Sequence, residues 1–261
     1  MSDHRATRPA AVRSAVAGAV GLALSSPFAA AQQARAGALD EVIVEGHKYD
    51  EEMRSPKFTA PLLDTPKSVM VISNELIEEQ GATSLVEALK NAPGITFNAG
   101  EGGRPAGDNL KIRGFDAGAD VFIDGIRDGG SQTRDIFALE QIEVLKGPAS
   151  AYAGRGATGG AINLISKKPD SENFLDTSFG GGSDEYLRAT VDANYRFTDS
   201  AAVRLNLLEQ QSDVPGRDGV FVDHQGIAPS LALGLGTPTR FTADYYWYRT
   251  DDMPDYSIPY G

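Results

Sequence analysis

The chain has no cysteine, only three histidines, one tryptophan and fewer basic than acidic residues. Without cysteine there are no disulfide staples, no thiolate metal sites and no cysteine nucleophile. The histidines, His4, His47 and His224, lie far apart in polar surroundings, which leaves no histidine-based metal site or catalytic triad. With 24 basic against 36 acidic residues and a net charge of -12, the chain repels a phosphate backbone, so nucleic acid is not an expected partner. The apolar run at residues 15–24 falls well short of the roughly 20 residues a membrane-spanning helix needs. No paired carboxylates, nucleophile-base pair or cofactor loop stands out, so no enzyme is expected.

That short apolar run has another use. Arg5, Arg8 and Arg13 precede or flank its start, and residues 27–31 end in the small-residue pattern of a cleavage site. This is the layout of a secretory signal peptide, with cleavage expected after Ala31. Residues 32–57 then read as a flexible, polar arm containing one extended run, Asp40, Glu41, Val42, Ile43 and Val44. Such a run suits either an edge strand of the next domain or a peptide that another protein captures by strand addition, and the residues alone favour neither.

The most informative stretch is residues 143–168, EVLKGPASAYAGRGATGGAINLISKK. Gly154, Gly156 and Gly159 satisfy the spacing of a dinucleotide-binding loop, and Asp176 follows about 20 residues on. A dinucleotide loop must open a helix, however, whereas residues 161–166, AINLIS, are short and β-branched. Tight turns and close backbone approach explain the glycines better. Upstream, the pattern predicts a strand at 68–72, a helix at 74–80 capped by Ser73, and a second helix capped by Thr83 or Ser84 and stopped at Pro93-Gly94. Strands are expected at 95–97, 110–113, 120–124 and 142–146, with polar loops at 98–109 and 128–134. The whole reads as a small α+β domain.

From Phe174 onward the chain alternates. Leu187, Ala189, Val191, Ala193, Tyr195 and Phe197 interleave with Arg188, Thr190, Asp192, Asn194 and Arg196, and similar runs follow near 203–207 and 240–247. Each run is close to the length of a tilted membrane strand, with a polar face suited to a lumen and an apolar face suited to lipid. A soluble sandwich shows the same alternation. Two features favour a barrel: turns expected to alternate short and long, with the longer loop at 213–224, and Tyr245, Tyr246, Trp247 and Tyr248 clustered like an interfacial girdle.

Taken together, DEVIV, LLDTPKSVMVIS, GATSLVEALKNAPGI, KIRGFDAGADVFIDGIRD and EQIEVLKGPASAYAGRGATGGAINLISKKP resemble the TonB-dependent outer-membrane receptors, over nearly all of the chain after residue 31. The continuation at 216–240 resembles most the catecholate siderophore receptors of that family. The resemblance implies an α+β plug domain, roughly 58–169, followed from 170 by the first five or so antiparallel strands of a barrel of about 22 strands. It implies that residues 40–44 are the TonB box, pulled by TonB and its ExbB/ExbD complex, in a receptor importing ferric siderophore across the outer membrane. Iron would travel as the siderophore complex, with no cofactor ligated by the protein. Receptors for hydroxamate siderophores or haem share the plug motifs, and a soluble plug-type binding module is the alternative of another class.

On the same footing, Glu101, Arg104, Asp108, Ser131, Gln132 and Arg134 on the outward plug loops are the expected substrate contacts. A guanidinium suits an anionic, aromatic tris-catecholate. Arg113 and Arg155 are expected at more internal positions, as the resemblance implies for arginines that pair with barrel-wall carboxylates, the partners being expected outside this chain. The short distance from the cleavage site to residue 40 implies transport without a signalling domain. Five strands cannot close a barrel, and open edges are not tolerated in lipid. The chain is therefore expected to be a fragment that does not transport alone.

Overall fold

The computed structural model describes residues 52–57, 64, 67–98, 107–130 and 132–253. The expected signal peptide and TonB box, and Glu101, Arg104 and Ser131, lie outside these residues. The described residues belong to one compact unit, Lys48–Gly261.

The first half is built on a five-stranded sheet. Its strands are β1 (Ser68–Ser73), β5 (Val121–Ile123), β6 (Ile126–Arg127), β7 (Leu139–Lys146) and β8 (Gly160–Ser166), in the order β1-β7-β8-β5-β6. All pairings are antiparallel except β5 with β8. A smaller sheet joins β2 (Ile95–Phe97), β3 (Leu110–Ile112) and β4 (Phe115–Asp116). Helices α1 (Asn74–Glu79) and α2 (Leu85–Leu89) cover one side, and a single turn, α3 (Ser150–Ala153), connects β7 to β8. Leu85, Leu89, Ile112, Val121, Ile142, Val144 and Ile162 form the fully enclosed centre.

Local chemistry sets these boundaries. Ser73 Oγ accepts from Leu76 N at 3.4 Å, and Ser84, rather than Thr83, caps α2 by accepting from Glu87 N at 3.3 Å. Glu87 reaches back to the Thr83 N–H at 2.7 Å, a variant of the capping box. Residues 160–166 form a strand, in keeping with the short β-branched run at 161–166, and the glycine turn before it is steric in origin. A Cβ on Gly159 would stand 2.1 Å from Ile112 O, and one on Gly160 2.0 Å from Leu145 O. The dinucleotide reading fails because no helix follows.

The second half is an antiparallel meander: β9 (Phe174–Gly181), β10 (Leu187–Thr198), β11 (Ala201–Asp213), β12 (Phe221–Leu233), then β13 (Phe241–Asp244) and β14 (Trp247–Thr250). The last two share one register on β12, since Ser230 pairs with Asp244 and Ile227 with Trp247. They are one strand interrupted opposite Pro229, whose carbonyl accepts from Tyr245 N at 3.0 Å but which has no N–H to return the bond.

Two expectations need correction. The loop expected at 213–224 is only 214–220, because β12 already starts at Phe221. Short and long turns do not alternate either, since 234–240 is as long as 214–220. The 234–240 connection is tied by Thr237 Oγ1 bonds to Gly234 O and Thr239 O, each 2.8 Å.

Candidate functional site

The period-two pattern of the second sheet has an unusual sense. Arg188, Asp192 and Asn194 on β10, Asn206 on β11 and His224 and Ser230 on β12 are buried, while Leu175, Phe179, Tyr195, Val203, Leu233 and Phe241 are exposed. Asn206 is 1% exposed and Phe179 71%. A soluble sandwich buries its apolar face. This sheet turns the apolar face outward and lays the polar face against the first half, which is the arrangement of a membrane wall around a lumen filled by protein. The aromatic cluster divides accordingly. Tyr245 and Trp247 alternate outward, but Tyr246 and Tyr248, expected in the girdle, stack on Phe137 of the first half with centroids 5.8 and 6.5 Å away.

Charge and shape both hold this interface. Arg188 on β10 grips Asp135 through two parallel bonds, Nη1 to Oδ2 at 2.7 Å and Nη2 to Oδ1 at 2.9 Å, and also donates to Gln210 Oε1. Asp135 accepts in addition from Phe137 N at 2.8 Å, so the carboxylate is held from both sides. Lower on the wall, Arg204 forms a fork with Asp192 at 2.8 and 2.7 Å, reaches Glu140 at 3.3 Å and donates to Lys168 O at 3.0 Å. Lys167 completes that cluster at 2.9 Å from Asp192. Shape adds a key and notch: Phe137 sits over Gly226 so closely that a Cβ there would lie 2.6 Å from its ring. A cavity of about 100 Å³ remains between Ser84, Arg134, Asp135, Gln210, His224 and Tyr248. His224 Nδ1 and Tyr248 Oη are buried without a hydrogen-bond partner, while His224 Nε2 meets Asp252 at 3.0 Å.

The expected substrate residues fall in different places. Gln132 is exposed and donates to Asp128 at 2.9 Å. Arg134, expected to face substrate, is 6% exposed. Its Nη1 meets Asp108 at 2.6 Å, its Nε meets Asp128 at 3.0 Å, and its Nη2 serves the carbonyls of Asp128 and Gly130 at 3.1 Å each. The Nη1 also approaches Gln132 O at 3.5 Å, so the guanidinium is committed to protein acceptors throughout. It fastens loop 128–134 to Asp108, whose carboxyl burial raises above its usual range although Arg134 opposes the rise.

Arg113 and Arg155 are exposed, and among the described residues neither makes an ion pair across the interface; the wall carboxylates that would pair with them are expected outside this chain. Two cross-interface pairs place the arginine on the wall and the carboxylate on the first half, Arg188–Asp135 and Arg204–Glu140, while Lys167–Asp192 runs the other way. Arg113 has φ +52 and lies against Gly147, where an added Cβ would be 3.0 Å from its Nη1. Arg188 and Arg204 were visible in the sequence as polar members of alternating runs. Which faced a carboxylate across the interface was not, because that depends on where the first half sits.

Residues 61–161 match the model of the TonB-dependent Receptor Plug Domain. Over 250 residues the chain is 49% identical to the probable TonB-dependent receptor BfrD of Bordetella pertussis, covering 94% of this chain and 34% of that protein. The crystal structure of the siderophore receptor PiuA from Acinetobacter baumannii matches with TM-score 0.75 and 48% identity, over 78% of this chain and 29% of that one. The closed form of the ferric-catecholate import receptor Fiu from Escherichia coli K12 matches with TM-score 0.76 and 44% identity, over 80% and 30%. The chain thus spans about a third of the length of these relatives.

Proposed function

Since the chain belongs to the TonB-dependent siderophore receptor family, whose members sit in the outer membrane, we propose that it supplies the plug and first wall strands of a receptor importing a ferric catecholate siderophore. The observation that carries this reading is the reversed sheet, with an apolar outer face and a charged inner face closed on a plug by Arg188–Asp135 and Arg204–Glu140. A buried ion pair such as Arg188–Asp135 is costly to desolvate and breaks at large cost when one partner moves away, which suits a plug that must stay seated until work is done on it. That work enters through residues 40–44, captured as a strand by TonB with its ExbB/ExbD complex, after export by the leader at 1–31. The catecholate assignment follows what Fiu is described as importing, and the 42% identity to a catecholate siderophore receptor over 88% of this chain supports it.

Growth under iron limitation on defined ferric catecholates tests this, using the receptor with and without a scrambled 40–44 segment. Growth that needs the intact segment is the expected result. Equal growth with the scrambled segment, or growth on hydroxamate complexes alone, would overturn the energised catecholate reading.

A further inference from the structure

Glu143 stands in the middle of β7 with its side chain fully enclosed. A buried carboxylate costs several kcal/mol unless bonded, so its bonds identify its purpose. Oε1 accepts from Arg54 N at 2.8 Å, Ser55 N at 2.9 Å and Gln141 Nε2 at 3.1 Å, and Oε2 accepts from Asn163 Nδ2 at 2.9 Å. Two of the four donors are main-chain groups of a segment nearly ninety residues away in the chain.

Segment 52–57 has no regular secondary structure, and side chains do the work of a sheet for it. Ser55, 2% exposed, meets Tyr152 Oη through its hydroxyl at 3.2 Å. Lys57 Nζ donates to Gly125 O at 2.9 Å and lies 4.7 Å from the centre of the Tyr152 ring. Arg54 pairs with Glu140 at 2.9 Å. Along the chain, this segment stands between residues 40–44 and β1, which begins only at Ser68. A pull on 40–44 therefore reaches the bonds of Arg54 and Ser55 before it reaches the β1 pairing.

We propose that Glu143 and segment 52–57 form a mechanical latch, and that opening it is the first step when the receptor is pulled. The proposal rests on residues 40–44 being the pulled segment. Charge-assisted bonds are roughly twice as strong as neutral ones. Here the two arm donors, Arg54 N and Ser55 N, converge on one oxygen that Gln141 also holds from within β7, so the two arm bonds hold firmly and then release together. An amide cannot substitute. Gln at 143 would turn an N–H₂ toward Asn163 Nδ2, and Asn163 cannot flip without losing the bond its Oδ1 accepts from Gly125 N at 2.9 Å.

Hydrogen exchange on the detergent-solubilised receptor, without any energy source, reads the latch directly. Glu143→Gln should speed exchange of the Arg54 and Ser55 N–H groups about 10- to 100-fold while the β7–β8 amides keep their protection. Tyr152→Phe, which leaves the carboxylate and the ring in place, should speed the same groups by roughly 3- to 10-fold. Unchanged rates in both variants would overturn the latch, as would loss of protection throughout β7–β8, which would make Glu143 a core residue only. Single-molecule pulling from a handle on the arm should show a lower first rupture force in Glu143→Gln, and an unchanged force would remove the mechanical role. Uptake independent of residues 40–44 would defeat the parent reading alone, since the exchange result needs no pull.

Discussion

Breaking the Arg188–Asp135 fork should loosen the plug without unfolding the wall. Both residues are almost fully buried, at 8% and 6% exposure, and the pair is bidentate at 2.7 and 2.9 Å. Removing one member leaves the other charge enclosed, which costs about 3–5 kcal/mol. Arg188→Leu should fall in that range, because among the described residues Asp135 retains only the Phe137 N–H beyond the fork. Asp135→Asn should sit at its lower end, since an amide oxygen can still accept one guanidinium N–H. With Arg188→Gln as the matching single variant, also at about 3–5 kcal/mol, the double variant Asp135→Asn with Arg188→Gln should recover most of the loss and leave about 1 kcal/mol, so the two positions couple by roughly 5–7 kcal/mol in a double-mutant cycle. The assay is urea titration of the detergent-solubilised receptor, following hydrogen exchange in peptides covering 132–146 and 187–198 separately. The plug peptides should open at lower urea in the single variants while the strand peptides hold. Single variants within about 0.5 kcal/mol of wild type, with an additive double variant, would refute the reasoning, because a solvated pair behaves that way.

Gly226→Ala forces Phe137 out of its notch and should cost about 1–3 kcal/mol by overpacking, with Phe137→Leu in the same chain restoring much of it in the same urea titration. Leu205→Arg places a charge on the outward face midway along β11 and should lower the amount of receptor recovered from outer membranes, a cost of about 2–4 kcal/mol near the bilayer centre. The Tyr152 hydroxyl is pushed up to about 12, first by burial, with the Ser55 bond opposing and the Glu143 charge adding. Its contribution is therefore fully present below pH 10 and lost as pH rises through about 12. Exchange at Ser55 N should accelerate over that window, and Tyr152→Phe should remove this part of the pH dependence. Ser84→Ala removes the α2 cap and should destabilise the plug by about 1 kcal/mol, measured as a shift in the same titration.

Several parts of the fold were legible because they rest on local rules. Ser73 and Ser84 before apolar turns mark helix starts, Pro93-Gly94 marks a stop, and the alternation from Leu187 to Phe197 marks a strand with two unlike faces. The pairing partner of β12 was harder, because Pro229 splits one strand into two while keeping its register. The sequence did not separate Tyr246 and Tyr248, which stack on Phe137, from Tyr245 and Trp247, because period two says only that alternate side chains share a face. Which face meets the plug is settled by Phe137, from a different part of the chain.

The sequence by itself determined the α+β first half, the strand-forming second half, the exclusion of thiol chemistry, and the family resemblance. All of these follow from neighbours, periodicity or residue type. The tertiary structure decided what the charges do. Arg134 became a buried fastener because Asp108 and Asp128 close on it. Arg188 and Arg204 met Asp135 and Glu140 across the interface. Glu143, an unremarked acid in an apolar strand, gained its role from a segment nearly ninety residues earlier. The physical reason is the same in each case: the energy of a charge depends on whether a partner replaces its water, and that partner is brought near by the fold rather than by the adjacent residues.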